Sequence, residues 1–148
     1  MLSNHFKRNH LNSFKFFKKA DKILEMKILI LNGPNLNMLG VREPDVYGKE
    51  SLQDIEANIQ KLSNELDFDY EFFQSNAEHE IVNKVQSALG EFNVIIFNPG
   101  AFTHTSIAIR DAMLAVAIPF YEVHISNVFA REDFRKKSYF SDLSLIHI

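Results

Sequence analysis

The chain contains 148 residues, 46% of them hydrophobic, and this length and composition fit one globular domain with a single core. It has no cysteine, which excludes disulfide bonds, thiolate zinc sites and cysteine nucleophiles. Its apolar runs are shorter than the roughly 18 residues needed to span a membrane, and the N-terminus lacks the compact apolar stretch of a secretory signal. We therefore expect a cytoplasmic protein without a membrane partner.

Charge is unevenly distributed along the chain. Residues 1–25 carry a net charge of +4, whereas the whole chain has a net charge of −3. The acidic remainder argues against a nucleic-acid partner. Residues 1–25 are interpreted as a basic N-terminal extension that is disordered or loosely attached, because their phenylalanines cluster without a sustained helical period. We expect residues 26–148 to form a single domain that carries the function.

Short apolar runs alternate with helix-period segments after Met26, which is typical of βαβ units in a parallel sheet. Ser51 and Asp54 form a candidate capping box before a helix in which Leu62 is expected to face inward. A second helix is predicted from about Glu78, with Leu89 inward. The remaining elements are a third helix over 105–116 and strands over 27–31, 69–74, 93–98 and 119–125. The predicted class is α/β with a doubly wound parallel sheet.

Polar residues follow each predicted strand. The four strands lead into NGPN, QSNAEHE, NPGAFTHTS and HISNVFARE. In open parallel sheets, ligands bind beyond the carboxyl ends of the strands. Asn, Gly, Pro and Ser are also ordinary turn residues, but histidine and arginine in these loops favour a functional site at this edge of the sheet.

One loop brings an arginine and a tyrosine close together in sequence. Arg42 and Tyr47 lie between Gly40 and Gly48, with Pro44 restricting the backbone between them. A phenol, with a reference pKa of about 10, acts as a base near neutral pH when a neighbouring cation stabilises its ionised form. In isolation the same pattern is more often a surface turn, so the remaining motifs must decide between the two interpretations.

The fourth strand carries a candidate acid. Glu122 and His124 are two residues apart and share one face of an extended chain. A carboxylate beside an imidazole stabilises the protonated ring and orients it, as a general acid requires.

Asn98 directly follows the apolar run of the third strand, where its amide can hold a water or an oxyanion. His104 and Ser106 precede a helix start, a position that favours an anionic or hydroxylated ligand.

Four ordered motifs give the chain a family resemblance. The segments NGPNLNMLGVREPDVYG, FQSNAEHE, IIFNPGAFTHTSIAIRDA and VHISNVFAREDFRKKSYFS resemble the type II 3-dehydroquinate dehydratases, in order, from about Lys27 to Ser141. This resemblance implies a flavodoxin-like α/β enzyme of the shikimate or quinate pathway. It further implies conversion of 3-dehydroquinate to 3-dehydroshikimate and water through an enolate, with no cofactor, metal or Schiff base.

The resemblance also implies roles for particular residues. Tyr47 corresponds to the proton acceptor and Arg42 to the cation that keeps it ionised, within a lid over the substrate. His124 corresponds to the acid that protonates the departing hydroxyl, assisted by Glu122. Asn98 corresponds to the residue that positions the enolate-stabilising water, and Asn35 to an additional active-site group. The implied substrate contacts are Asn98, His104, Asp111, Ile125, Ser126, Arg131 and Arg135.

Assembly and the C-terminus follow from the same resemblance. The family usually forms a trimer-based homododecamer in which an aspartate matching Asp111 reaches a neighbouring site. Its members continue into a last strand and a terminal helix, whereas this chain ends at SDLSLIHI. SLIHI is a candidate for a short edge strand, and the missing helix is expected to leave apolar surface exposed.

Rival functions have weaker support in the sequence. HEIVN lacks the second histidine of a zinc-protease helix, and no Walker, dinucleotide-binding or G-x-S-x-G motif is present. The remaining alternative is a truncated, inactive homologue or a flavodoxin-like module that binds a partner.

Overall fold

A five-stranded parallel sheet forms the centre of the protein. The computed structural model describes residues 26–41, 48–126 and 132–148. The strands are β1 (Lys27–Asn32), β2 (Asp69–Gln74), β3 (Val94–Asn98), β4 (Phe120–Glu122) and β5 (Ile146–His147). Their order across the sheet is β2-β1-β3-β4-β5, and every pairing is parallel. This is the flavodoxin-like order, so the predicted fold class is confirmed.

Within the described ranges, three α-helices connect the strands: α1 (Leu52–Leu66), α2 (Glu78–Ser87) and α3 (Ile107–Val116). The predicted capping box is present, since Ser51 accepts the backbone N–H of Asp54 while the Asp54 side chain accepts the N–H of Ser51. The pKa of Asp54 is lowered by its hydrogen bonds to Ser51. None of the helices in the described part of the chain is long and apolar enough to cross a membrane.

The sheet is covered on both faces, because each strand directs alternate side chains to opposite sides. Helices α2 and α3 pack together over a large core that includes Leu31 and Phe97. A smaller cluster joins Leu52 of α1 to Leu36, with Phe72 of β2 packed against it. The short helix of Leu36–Met38 therefore anchors the loop after β1 to α1.

Two sequence expectations about buried leucines are wrong. Leu62 of α1 is 46% exposed and Leu89 after α2 is 63% exposed. Ser63, whose hydroxyl donates to the carbonyl of Gln60, is buried beside Leu62 instead. Helix α2 ends at Ser87, so Leu89 falls outside the helical period and Ala88 takes the buried position.

The fourth strand is shorter than predicted, although its backbone pairing continues beyond it. The regular strand ends at Glu122, whereas the sequence pattern extended it to Ile125. The N–H of Val123 donates to the carbonyl of Phe97 at 2.9 Å, and the N–H of His124 donates to the carbonyl of Ile148 at 2.8 Å. His124 is therefore held by main-chain bonds next to the sheet.

The SLIHI segment forms β5, as the sequence allowed, and pairs with β4. Arg110 of α3 holds the chain before it through two hydrogen bonds to Asp142, at 2.6 and 2.8 Å, and one to the carbonyl of Tyr139. This guanidinium lowers the pKa of Asp142. Apolar surface remains exposed beside this edge, at Leu114, Leu145 and Ile148.

Candidate active site

A cavity lies beyond the carboxyl ends of β1, β3 and β4. Seven of the residues selected from the sequence line it together. These seven residues are Asn35, Asn98, His104, His124, Ile125, Ser126 and Arg135. The other lining residues belong to the loops after β1 and β3 and are Pro34, Leu36, Met38, Leu39, Gly100 and Ala101.

The loops after β1 and β3 are packed directly against each other. The N–H of Gly33 donates to the carbonyl of Asn98 at 2.7 Å. A Cβ atom at Gly33 would lie 2.2 Å from the carbonyl oxygen of Pro99, and one at Gly100 would lie 3.0 Å from that of Pro34. This contact requires glycine at position 33 and fixes the spacing between the loop that carries Asn35 and the end of β3, which carries Asn98.

The two asparagines at the cavity are held by main-chain contacts. Asn35 has a left-handed backbone with φ of 66°, which asparagine tolerates better than most residues, and its N–H donates to Asn76 Oδ1 at 2.8 Å. Asn98 is buried, and its Oδ1 accepts the N–H of Gly100 at 3.3 Å. Its Nδ2 amino group is then the end suited to donate to a ligand oxygen.

Glu122 and His124 form a buried pair, as their spacing predicts. His124 Nε2 lies 2.8 Å from Glu122 Oε1. The side chain of Glu122 is fully buried, and that of His124 is 9% exposed. Because Nε2 faces the carboxylate, Nδ1 is the ring nitrogen suited to exchange a proton with a molecule in the cavity.

His104, which also lines the cavity, is oriented by a main-chain contact. Its Nδ1 lies 2.7 Å from the main-chain carbonyl of Lys137. A carbonyl only accepts hydrogen bonds, so Nδ1 carries the proton and Nε2 becomes the ring nitrogen that can accept from a ligand. His104 ends the short helix of Gly100–His104 after β3.

Arg135 supplies positive charge to the cavity wall. It belongs to the short helix of Asp133–Arg135, and its guanidinium carbon lies 5.2 Å from the centre of the Phe134 ring. Its Nε lies 3.0 Å from Glu132 Oε2 without forming a hydrogen bond. A guanidinium in this position suits a carboxylate-bearing ligand.

The remaining predicted residues lie elsewhere. Asp111 is exposed on α3 and does not line the cavity of the single chain. Arg42, Tyr47 and Arg131 lie outside the described residues, as does the extension at 1–25. Among the residues that the structure describes, no cluster of three or more His, Asp or Glu side chains could hold a metal ion.

Sequence reasoning missed the groups that surround Glu122. Thr103, Ser138 and Ser141 each place a hydroxyl within hydrogen-bonding distance of its carboxylate. The motifs THTS and SYFS contain them, but a serine or threonine in a loop gives no signal of a buried partner 16 to 19 residues away. Sequence reasoning also missed Asn32 at the end of β1, whose buried Nδ2 has no hydrogen-bond partner among the residues that the structure describes.

Comparison with known proteins gives a consistent result. The sequence model described as dehydroquinase class II matches residues 26–148. A 3-dehydroquinate dehydratase from Actinobacillus pleuropneumoniae serotype 5b is 56% identical over 118 residues, which cover 80% of this chain and 77% of the relative. One from Aeromonas hydrophila is 58% identical over 118 residues, which cover 80% of this chain and 79% of the relative.

A solved structure agrees with these sequence matches. The type II dehydroquinase from Butyrivibrio crossotus superposes with a TM-score of 0.81 and 44% sequence identity. The match covers 84% of this chain and 87% of that one. The similarity thus extends from the sequence to the arrangement of the fold.

The contact between the two glycine loops gives a direct prediction. Gly33→Ala forces its new methyl group into the Pro99 carbonyl, so we expect a loss of about 1–3 kcal/mol in the free energy of unfolding. Displacement of Asn35 and Asn98 should also weaken any activity at the cavity. Urea denaturation and steady-state kinetics measure the two effects.

Gly90→Ala is the matched control for this change. Gly90 has φ of +79° and open space around its Cβ position, so alanine introduces backbone strain there without disturbing the site. A Gly33→Ala variant with wild-type stability and activity would show that the two loops are not constrained by this contact.

Proposed function

This chain belongs to the class II dehydroquinase family, and we propose that it catalyses the dehydration of 3-dehydroquinate to 3-dehydroshikimate. The reaction proceeds through an enolate, without a Schiff base and without a metal. The observation that carries this proposal is the buried Glu122–His124 pair beside Asn98 at one cavity. A single small molecule in this cavity can therefore contact both the proposed acid, His124, and Asn98, whose amide can stabilise an enolate.

His124 acts as the general acid. The hydroxyl group that leaves is a poor leaving group unless a proton is transferred to it as the C–O bond breaks. With Nε2 directed to Glu122, the proton passes from Nδ1 of the imidazolium to the departing oxygen, which leaves as water. The carboxylate of Glu122 accepts the hydrogen bond from Nε2 and so keeps Nδ1 directed toward the cavity during this transfer.

Asn98 stabilises the enolate. Removal of a proton beside the substrate ketone places negative charge on the ketone oxygen, and a fixed donor near that oxygen lowers the barrier. Asn98 can donate through Nδ2 or position a water for this purpose, because Gly100 already occupies its Oδ1. Asn35 lines the cavity on the opposing loop and adds a second amide to the site.

Tyr47 is the base in this proposal. Arg42 keeps its phenol ionised, and the 40–48 loop closes over the substrate and excludes water. Substrate binding is assigned to His104, Ile125, Ser126, Arg131 and Arg135, which supply donors and positive charge for the hydroxyl and carboxylate groups of 3-dehydroquinate. Arg135, at the cavity wall, suits the carboxylate best because a guanidinium can form two parallel hydrogen bonds with it.

We also propose a cytoplasmic homododecamer built from trimers, serving the shikimate pathway of aromatic amino acid biosynthesis. The exposure of Asp111 on α3 supports this assembly, because the side chain is then available to complete the site of a neighbouring subunit. Within one chain Asp111 does not line the cavity.

An absorbance assay tests the proposed reaction. Addition of 3-dehydroquinate should produce an ultraviolet band from the conjugated enone product. Incubation with substrate and borohydride together should leave the rate on fresh substrate unchanged, because no imine forms for borohydride to trap. Loss of the rate after borohydride treatment would contradict the mechanism. A folded sample that produces no band would favour the inactive-homologue alternative.

Paired variants test the proposed acid and base. His124→Gln and Tyr47→Phe should each lower kcat by about 10²–10⁴-fold, because each removes one proton-transfer group. His79→Gln and Tyr70→Phe are the matched controls, since His79 is exposed on α2 and the Tyr70 hydroxyl donates to Gln60 away from the cavity. Near-normal turnover in Tyr47→Phe would rule out the tyrosinate base.

A further inference from the structure

In the part of the chain that the structure describes, the hydroxyls of Thr103, Ser138 and Ser141 surround the carboxylate of Glu122, and none of the three takes part in the proposed proton transfers. We propose that Thr103, Ser138 and Ser141 are positioning residues, a hydroxyl cage that holds Glu122 as an acceptor at both oxygens and thereby fixes the proton of His124 on Nε2. The expected effect on turnover rests on the proposed function. The hydrogen bonds around Glu122 and the tautomer of His124 do not depend on it.

The buried carboxylate of Glu122 needs hydrogen-bond donors in place of water. Its side chain has no solvent exposure, and an ionised carboxylate removed from water costs several kcal/mol unless hydrogen bonds replace its hydration. Thr103 Oγ1 lies 2.6 Å from Oε1, and Ser141 Oγ lies 2.8 Å from Oε2. Ser138 Oγ lies 3.0 and 3.2 Å from the two oxygens.

The bonds that Ser138 accepts determine the directions of the hydrogen bonds around Glu122. Ser138 Oγ accepts the main-chain N–H groups of Phe140 and Ser141, at 2.9 and 3.1 Å. These two bonds use both of its acceptor positions, so Ser138 has only its own proton left to offer. Because Ser138 Oγ cannot accept a third bond, its proton is shared between Thr103 Oγ1, at 2.7 Å, and the carboxylate, and the proton of Thr103 is directed to Glu122.

The hydroxyl cage determines which ring nitrogen of His124 carries the proton. When hydroxyl donors occupy both carboxylate oxygens, Glu122 is held in its acceptor-only, ionised form. The 2.8 Å contact between Glu122 Oε1 and His124 Nε2 then requires Nε2 to be the donor. The neutral ring is consequently the Nε2–H tautomer, and every proton that His124 exchanges with the cavity passes through Nδ1.

The cage also joins two parts of the site. Thr103 lies in the short helix after β3, whereas Ser138 and Ser141 lie in the segment before β5. The N–H of Tyr139 donates to the carbonyl of Thr103 at 2.8 Å. Because Lys137 of the same segment orients His104, the cage fixes the position of His124 relative to the substrate-binding wall.

Substitution at Thr103 and Ser141 tests the cage. Thr103→Val replaces a hydroxyl with a methyl group of similar size, and Ser141→Ala removes a hydroxyl without affecting the Ser138 turn. Each should lower kcat by about 10–100-fold, the effect of losing one hydrogen bond to a charged group, with little change in KM. Thr103→Ser should restore kcat, and Thr105→Val, whose hydroxyl contacts only the Ala101 carbonyl among the described residues, should not change it.

Nitrogen-15 NMR of the histidine ring gives a readout that does not depend on activity. The His124 signals are identified by their absence in His124→Gln. Above the titration range the wild-type ring should show the Nε2–H pattern, whereas Thr103→Val and Ser141→Ala should shift the signals toward a mixture of tautomers. Unchanged nitrogen shifts in both folded variants would overturn the cage even if none of the proteins processed 3-dehydroquinate.

The two experiments separate the possible failures. Altered shifts in a chain without dehydratase activity would support the cage and contradict the proposed function. Wild-type kcat in both Thr103→Val and Ser141→Ala, in an active enzyme, would overturn the positioning role. If Thr103→Val does not fold, the comparison of Ser141→Ala with the wild type decides the outcome on both readouts.

Discussion

The arrangement at the carboxyl end of β4 depends on one buried charge. Glu122 is fully buried, and a carboxylate in that position is tolerated only when its hydration is replaced by donors. Among the described residues, three hydroxyls and the His124 ring supply such donors. Removal of a single donor would leave part of the cost uncompensated, so the position of the proposed acid, His124, is tied to the stability of its surroundings.

The sheet provides the rigid frame for this charge. Main-chain bonds hold residues 123 and 124 between β3 and β5, although the regular strand ends at Glu122. Groups placed on strands and their immediate extensions are positioned more accurately than groups on long loops. Arg110 adds a second restraint, because its contacts with Tyr139 and Asp142 hold the serine-bearing segment against α3.

The part of the cavity wall formed by the loops after β1 and β3 is fixed by steric contact. Gly33 and Pro99 are so close that a methyl group cannot fit between them. The loop that carries Asn35 is therefore held against the end of β3, which carries Asn98, and this contact keeps both amides at one spacing. Buried hydrogen bonds thus fix the Glu122–His124 pair, and close packing fixes the two asparagines.

Much of the fold was predictable because its signals are local. The capping box at Ser51 and the apolar runs of β1 to β3 depend on neighbouring residues, and the structure reproduces them closely. The pairing of Glu122 with His124 followed from the two-residue period of an extended chain. The exposure of Leu89 was mispredicted because the end of α2 at Ser87 is set by tertiary packing and not by the apolar pattern.

The groups around Glu122 were not predictable, because their role exists only in three dimensions. Thr103 and Ser138 are 35 residues apart and meet only after β3, β4 and the segment before β5 have assembled. Their sequence contexts are those of ordinary turn residues. The same limit applies to the carbonyl of Lys137, whose contact with His104 leaves no trace in side-chain chemistry.

The most direct test of the central claim is the kcat of Glu122→Gln on 3-dehydroquinate. Glutamine keeps the size of the side chain but removes the negative charge, and its amino group faces hydroxyls that donate. We predict a fall in kcat of at least about 100-fold with KM nearly unchanged, in a protein whose circular dichroism matches the wild type. A kcat within about threefold of the wild-type value would contradict this role of Glu122, because His124 would then act without the charge that positions it.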